Sequence, residues 1–225
     1  MTRGAGGVRK IIILFFSFLV TATAMAGESS APKADHDAKK ATIESGINYN
    51  ANGQYKEAIA EFNKVIEMDE KNADAYNYRG YSYILAGDFD KAIADYTKAI
   101  DLEPLYADAY YNRGMVYDMQ KSEHEKAIYD FTKAIQLKPE FGEAYLSRGS
   151  AYAKSGKYDS AMADYNKAIG IDPENGDAYY NRAVSYYNNG EYDNAWADVK
   201  KAQDLGCEIH PIFIKNLKKA SGRIQ

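Results

Sequence analysis

One cysteine, Cys207, stands among 225 residues, so no disulfide can close within the chain. It reads best as a small packing residue, the alternative being an intermolecular bridge. The three histidines, His36, His124 and His210, are scattered, and neither a Cys-x-x-Cys nor a His-Glu-x-x-His spacing occurs, so no metal site and no cofactor are expected. No Gly-Lys-Ser/Thr follows Gly4-Ala5-Gly6-Gly7, which removes a phosphate loop. No nucleophile elbow is present. The carboxylates recur at regular intervals, as a solvated helix face does, where an acid/base pair would be singular. The chain is therefore expected not to be an enzyme. A basic excess is also lacking: formal net charge is −4, which argues against nucleic acid as a partner.

Long apolar runs are missing too. The longest, Ile11 to Val20, falls short of the ~20 residues that span a bilayer. It follows Arg3, Arg9 and Lys10 and precedes Ala24-Met25-Ala26, an order that reads as a cleavable secretory signal over residues 1–26. The expectation is a periplasmic or secreted protein with no membrane span after cleavage, and a membrane-anchored one if the segment is retained. Residues 1–26 hold three of the 28 basic residues and none of the 32 acidic ones, so cleavage takes the net charge from −4 to −7. Residues 27–38, small and polar, read as a flexible linker.

What is abundant is tyrosine, 21 copies against 8 Phe and 1 Trp, and it recurs in register. Tyr76, Gly80, Tyr83, Gly87, Ala92, Tyr96, Ala99 and Pro104 reappear as Tyr110, Gly114, Tyr117, Ala127, Phe131, Ala134 and Pro139. They return as Tyr145, Gly149, Tyr152, Gly156, Ala161, Tyr165, Ala168 and Pro173, then as Tyr179, Ala183, Tyr186, Gly190, Ala195, Val199 and Ala202. The period is 34 residues, with one extra in the second of these copies. A weaker copy runs through Gly46, Tyr49, Gly53, Tyr55, Ala58 and Phe62. Five repeats follow: 39–72, 73–106, 107–141, 142–175 and 176–209. Within each, apolar residues at i, i+4, i+7 mark one helix face, a Gly-containing turn breaks it, and Ala and aromatic residues mark a second helix. No such pair buries its apolar face alone, so the pairs must stack. Residues 210–225 open on His210-Pro211 and place Phe213 and Leu217 on one face of a short capping helix.

This spacing resembles the tetratricopeptide repeat (TPR) family over residues 39–209. The resemblance implies an all-α, right-handed superhelical solenoid of five helix-turn-helix repeats. It also implies a non-catalytic protein–protein interaction module, a scaffold or assembly factor, that binds a protein or peptide segment in its concave groove. Family groove positions fall here on Asn77, Tyr78, Tyr81, Tyr111, Asn112, Met115, Met119, Leu146, Ser147, Tyr180, Asn181 and Tyr187. Asn112 and Asn181 are candidates to hydrogen-bond a peptide main chain. Asp74, Asp108, Glu143 and Asp177 add an acidic row, which either faces a partner or complements helix dipoles. A Lys/Arg carboxylate clamp does not match these positions. The competing functions are a self-associating, homo-oligomeric structural protein and a small-molecule or glycan binder using the Tyr-rich groove.

One charged pattern is less usual. Arg79, Arg113, Arg148 and Arg182 recur where the family more often has an apolar residue, and Asp95, Asp130, Asp164 and Asp198 recur on the second helices. The preferred reading is an internal Arg–Asp ladder, since arginine near helix packing needs a paired carboxylate. The alternative is an open Arg row for anions. Whether each Arg bonds within its repeat or to the preceding one is left open. The third repeat also departs: its turn, Lys121 to Glu125, is one residue longer, lacks the turn glycine and puts His124 where the others have an aromatic. It reads as neutral drift or as a contact site, with His124 placed to titrate beside Glu123 and Glu125.

Overall fold

The computed structural model describes residues 30–120 and 122–223, with side chains from Asp35 onward. The signal segment 1–26 and Lys121 lie outside the described residues. Contacts divide the chain into units 1–37 and 38–225. Of the first, only the opening of helix α1 (Ser30–Ala51) is described. That opening corrects the linker reading, because the chain is helical from Ser30. Ala31, Ala34 and Ala38 favour a helix, and Pro32 falls in the first turn, where no intrahelical N–H is needed.

Among the described residues ten more helices follow: α2 (Tyr55–Met68), α3 (Ala73–Ala86), α4 (Phe89–Leu102), α5 (Ala107–Gln120), α6 (His124–Leu137), α7 (Gly142–Lys154), α8 (Tyr158–Ile171), α9 (Gly176–Asn188), α10 (Tyr192–Asp204) and α11 (Pro211–Ala220). The described residues contain no strand. Five helix pairs and a terminal helix give the all-α repeat architecture expected. From α2 on, each helix packs on the next in chain order, and the first helices of neighbouring repeats also touch, α3 on α5, α5 on α7 and α7 on α9. Among the described residues the second helices make no comparable mutual contact, so the stack is shorter along the first helices, and their shared face is the concave one.

Close approach within each pair is set by a glycine facing an aromatic ring. A Cβ on Gly46, Gly80, Gly114 or Gly149 would fall 2.6, 2.9, 2.9 or 2.7 Å from an atom of the Phe62, Tyr96, Phe131 or Tyr165 ring. In the last repeat the pair changes together: Val199 replaces the ring and Ala183 replaces the glycine, both buried. The alanines at Ala92, Ala127 and Ala161 are fully buried at the same seam. Ala161→Leu is expected to overpack it and cost about 1–3 kcal/mol. A chemical melt indistinguishable from wild type would remove this packing account.

The turns end in left-handed glycines at Gly53, Gly87, Gly156 and Gly190. The longer third turn keeps the same closure by other means. Glu123 N–H donates to Tyr117 O at 2.9 Å, as Asp88 does to Tyr83 at 2.8 Å, while Ser122 takes the positive φ of 52°.

Candidate functional site: the concave face and the ladder behind it

Four arginines extend from the first helices to the aspartates of their own second helices. Arg79 Nε and Nη2 donate to Asp95 at 2.7 Å each, and Arg148 and Arg182 do the same to Asp164 and Asp198. Arg113 forks onto Asp130 at 2.8 Å. The third nitrogen, Nη1, reaches the preceding repeat: Asn63 at 2.6 Å, Thr97 and Thr132 at 3.0 Å, and Asn166. Each guanidinium therefore joins three helices, within and between repeats. Arg79, Arg148 and Arg182 also lie over two flanking tyrosines each, Tyr76 and Tyr83 for Arg79 at 5.4 and 5.9 Å from the ring centroids, and Arg113 lies over Tyr110. The hydrogen bond to the aspartate, the largest influence, holds Arg79, Arg148 and Arg182 above the ordinary arginine value. At Arg113 burial is the largest influence and opposes charge, and Asp130 outweighs it. With its fork and its third nitrogen both occupied, the row has little left to offer an anion.

On the concave face the predicted groove residues separate into three groups. Asn77 and Asn112 are only 4% exposed. Asn112 Nδ2 donates to Asn77 Oδ1 at 3.0 Å, and Asn77 Nδ2 donates to the Tyr106 hydroxyl at 3.3 Å, which donates to Asp74 at 2.6 Å. These amides face each other across α3 and α5, which corrects the expectation that Asn112 meets a peptide backbone. Tyr180 and Tyr187 form the second group. They meet Phe213 of α11 edge-on at 5.7 and 5.6 Å, so the capping helix packs on them, and both stay half-buried. Asn181 lies half-buried on the same helix.

The third group is the open stretch from α3 to α7. Tyr78 stacks on Phe62 at 5.7 Å, Tyr81 is half-buried, Met115 accepts from the Ser147 hydroxyl at 3.5 Å, and Leu146 is half-buried. Met119 is 43% exposed. Tyr111 lies between Phe141 and Phe131 at 4.9 and 5.8 Å. Asp74, Asp108 and Glu143 occupy the second residue of α3, α5 and α7. The fourth acid, Asp177, accepts from the Cys207 thiol at 3.4 Å, and Cys207 itself is half-buried, its Cβ facing Gly176.

Sequence reasoning missed a polar junction. Asp118 is 7% exposed on α5, where neighbouring repeats carry Ile84, Ala153 and Tyr187. Its Oδ1 meets His124 Nδ1 at 2.7 Å and its Oδ2 accepts from Lys154 of α7. His124 thus turns inward to Asp118 instead of standing beside Glu123 and Glu125. An acidic residue at a repeat position that carries Asn50, Ile84, Ala153 and Tyr187 elsewhere was the available signal. Among the described residues no cluster of His, Cys, Asp or Glu could hold a metal, and no helix is long and apolar enough to cross a membrane.

The family described as TPR repeat matches residues 46–87, 80–120, 118–156 and 149–190, and a second tetratricopeptide repeat description matches 176–205. No curated protein matches the chain. Among solved structures, the chain is 30% identical to MamA over 72% of its own length and 94% of MamA's, with a TM-score of 0.67. PilW, a type IV pilus biogenesis factor, is 22% identical, covering 84% of this chain and 88% of its own, with a TM-score of 0.74. YrrB, described as a TPR protein with an unusual peptide-binding site, is 22% identical over 86% and 98%, with a TM-score of 0.65. The last two likenesses speak to fold alone.

Proposed function

This chain belongs to the tetratricopeptide repeat family, a protein-interaction module, and from that premise we propose that it acts without catalysis, as an exported scaffold or assembly factor. Its partner is an extended protein segment lying on the concave face between α3 and α7. One observation carries this reading: Phe213 of α11 packs on Tyr180 and Tyr187 at one end of the concave face, and between α3 and α7 Met119 stays exposed. Tyrosine and methionine provide large, adaptable contact area there. Because the ladder ties three helices at each step, the surface is preorganised, and little ordering cost falls on the protein when a segment docks. Export rests on the basic, apolar and small-residue order of residues 1–26.

The test uses the chain expressed with its N-terminus intact. Intact mass of the envelope-fraction protein should begin after Ala26; a full-length mass would remove the cleavage reading. A pull-down from envelope extract with wild type should retain a partner that Tyr78→Ala/Met119→Ala loses while its circular dichroism stays unchanged. Equal retention by the variant would place binding elsewhere.

A further inference from the structure

In the fifth repeat two rings meet where the helix pair turns, Tyr187 on α9 and Tyr192 on α10, 5.9 Å apart. The same two positions of the third repeat hold Asp118 and His124, with Oδ1 and Nδ1 2.7 Å apart. Both members of the contact differ together, and a ring pair has become a carboxylate–imidazole pair. Lys154 of α7 takes the other oxygen, Oδ2. The Asp118 side chain is 7% exposed, against 26% for His124 and 46% for Lys154, so the enclosed charge is the carboxylate. A carboxylate paired with lysine only accepts hydrogen bonds, so His124 Nδ1 carries the hydrogen and Nε2 is the nitrogen that takes up a proton. The charges around the junction already have partners. Glu123 pairs with Lys126, which lies over Tyr117 of α5, and Glu125 pairs with Lys157 of α8. The Tyr165 phenol of α8, which feels Asp118, is pushed up to about 12 mainly by burial and stays neutral.

With His124 neutral, the Asp118 charge is matched by Lys154, and that ion pair links α5 to α7 across the seam between the third and fourth repeats. Protonating His124 places two cations on one carboxylate. The imidazolium competes for the charge from within its own repeat and repels the Lys154 ammonium. Histidine is the side chain whose ordinary charge change falls between pH 5 and 8. We propose that Asp118, His124 and Lys154 form a proton-operated clasp. At neutral pH it ties the fourth repeat to the third; acidification transfers the carboxylate to His124 and loosens that tie. Lys154 is the last residue of α7, so its long side chain can swing away without breaking the helix. The matching positions of the other repeats, Asn50, Ile84, Ala153 and Tyr187, carry no charge, so the clasp belongs to this seam alone.

The measurement is amide hydrogen exchange of the full chain. It is read over α7 as protection relative to the unfolded rate at the same acidity, at about pH 8 and about pH 5.5, on either side of the histidine range. Four chains are compared: wild type, Lys154→Met, His124→Gln and the double variant. Lys154→Met keeps an unbranched side chain and removes its charge. At the higher pH it should lower α7 protection by about threefold, the scale of a half-exposed ion pair. At the lower pH most of that loss should vanish, leaving the pH-independent effect of a lysine on a helix C-terminus. His124→Gln keeps a hydrogen-bond donor for Asp118 but takes up no proton, so in that background Lys154→Met should cost the same at both pH values. His36 and His210 are common to all four chains and drop out of the comparison. An equal loss at both pH values with His124 present would overturn the clasp. So would a pH-dependent loss that survives His124→Gln, or no loss at either pH, which would mean that Lys154 does not tie the repeats.

Discussion

Asp130→Ala is expected to lower the unfolding free energy by about 3–5 kcal/mol, because it strands a buried guanidinium. In the Arg113–Asp130 pair the arginine side chain is 14% exposed and the aspartate 1%, the most enclosed rung of the ladder. Removing the carboxylate leaves Arg113 with the Thr97 hydroxyl on Nη1 and the face of Tyr110 at 5.8 Å, neither of them charged. The charge cannot be shed, since arginine stays protonated at any working pH. Removing both charges is a different matter: Arg113→Met/Asp130→Leu keeps comparable volume, desolvates no ion and should recover most of the loss. The site is mid-stack, and repeat arrays depend on nearest-neighbour interfaces. Urea unfolding of the Asp130→Ala chain should therefore broaden or split, with the repeats on either side of α5 and α6 separating. A single transition within about 1 kcal/mol of wild type would mean that water solvates Arg113 and that the ladder contributes little.

The ladder and the stack were legible from sequence for one reason: repetition. A residue type returning every 34 residues occupies one structural position, so Arg at one position and Asp at another imply a repeated contact once the helix pair is recognised. Periodicity identified the glycine–aromatic seam in the same way. What it could not convey was direction. Asn77 and Asn112 sit at groove positions by spacing, yet their amides turn toward each other across α3 and α5, because two buried amides satisfy one another more cheaply than either does alone. Tyr180 and Tyr187 were read as groove for a similar reason. Phe213 packs on them from α11, which lies outside the repeat. Single departures from the repeat are where sequence reasoning gave least. Asp118, His124 and Lys154 are unremarkable apart: His124 meets Asp118 where α6 folds back on α5, and Lys154 reaches it only through the stacking of α5 on α7. The helical start at Ser30 was hidden by a composition that suits both a linker and a helix.

Leu217→Ala should destabilise the chain by about 2–5 kcal/mol and do so from its C-terminal end. Leu217 is fully buried, and with Ile209, Phe213 and Ile214 it closes the apolar cluster of Ala183, Val199 and Ala202. The ten-residue helix α11 covers these residues where the first helix of a repeat covers the others. In a linear stack the terminal unit has a single neighbour, and losing its cover frays that unit first. The only tryptophan reports this seam. Trp196 Nε1–H donates to the Ser221 hydroxyl at 3.1 Å, just beyond α11, and Arg223 lies 5.6 Å from its ring centroid. Undocking of α11 should shift Trp196 emission to the red at denaturant concentrations where the far-ultraviolet dichroism is still near native. In Leu217→Ala that early phase should move toward zero denaturant, and amide exchange should quicken in α9 and α10 while α3 to α6 stay protected. Emission and dichroism that move together, in wild type and variant alike, would instead make the cap and the five repeats one cooperative unit, with α11 as tightly bound to the stack as the repeats are to each other.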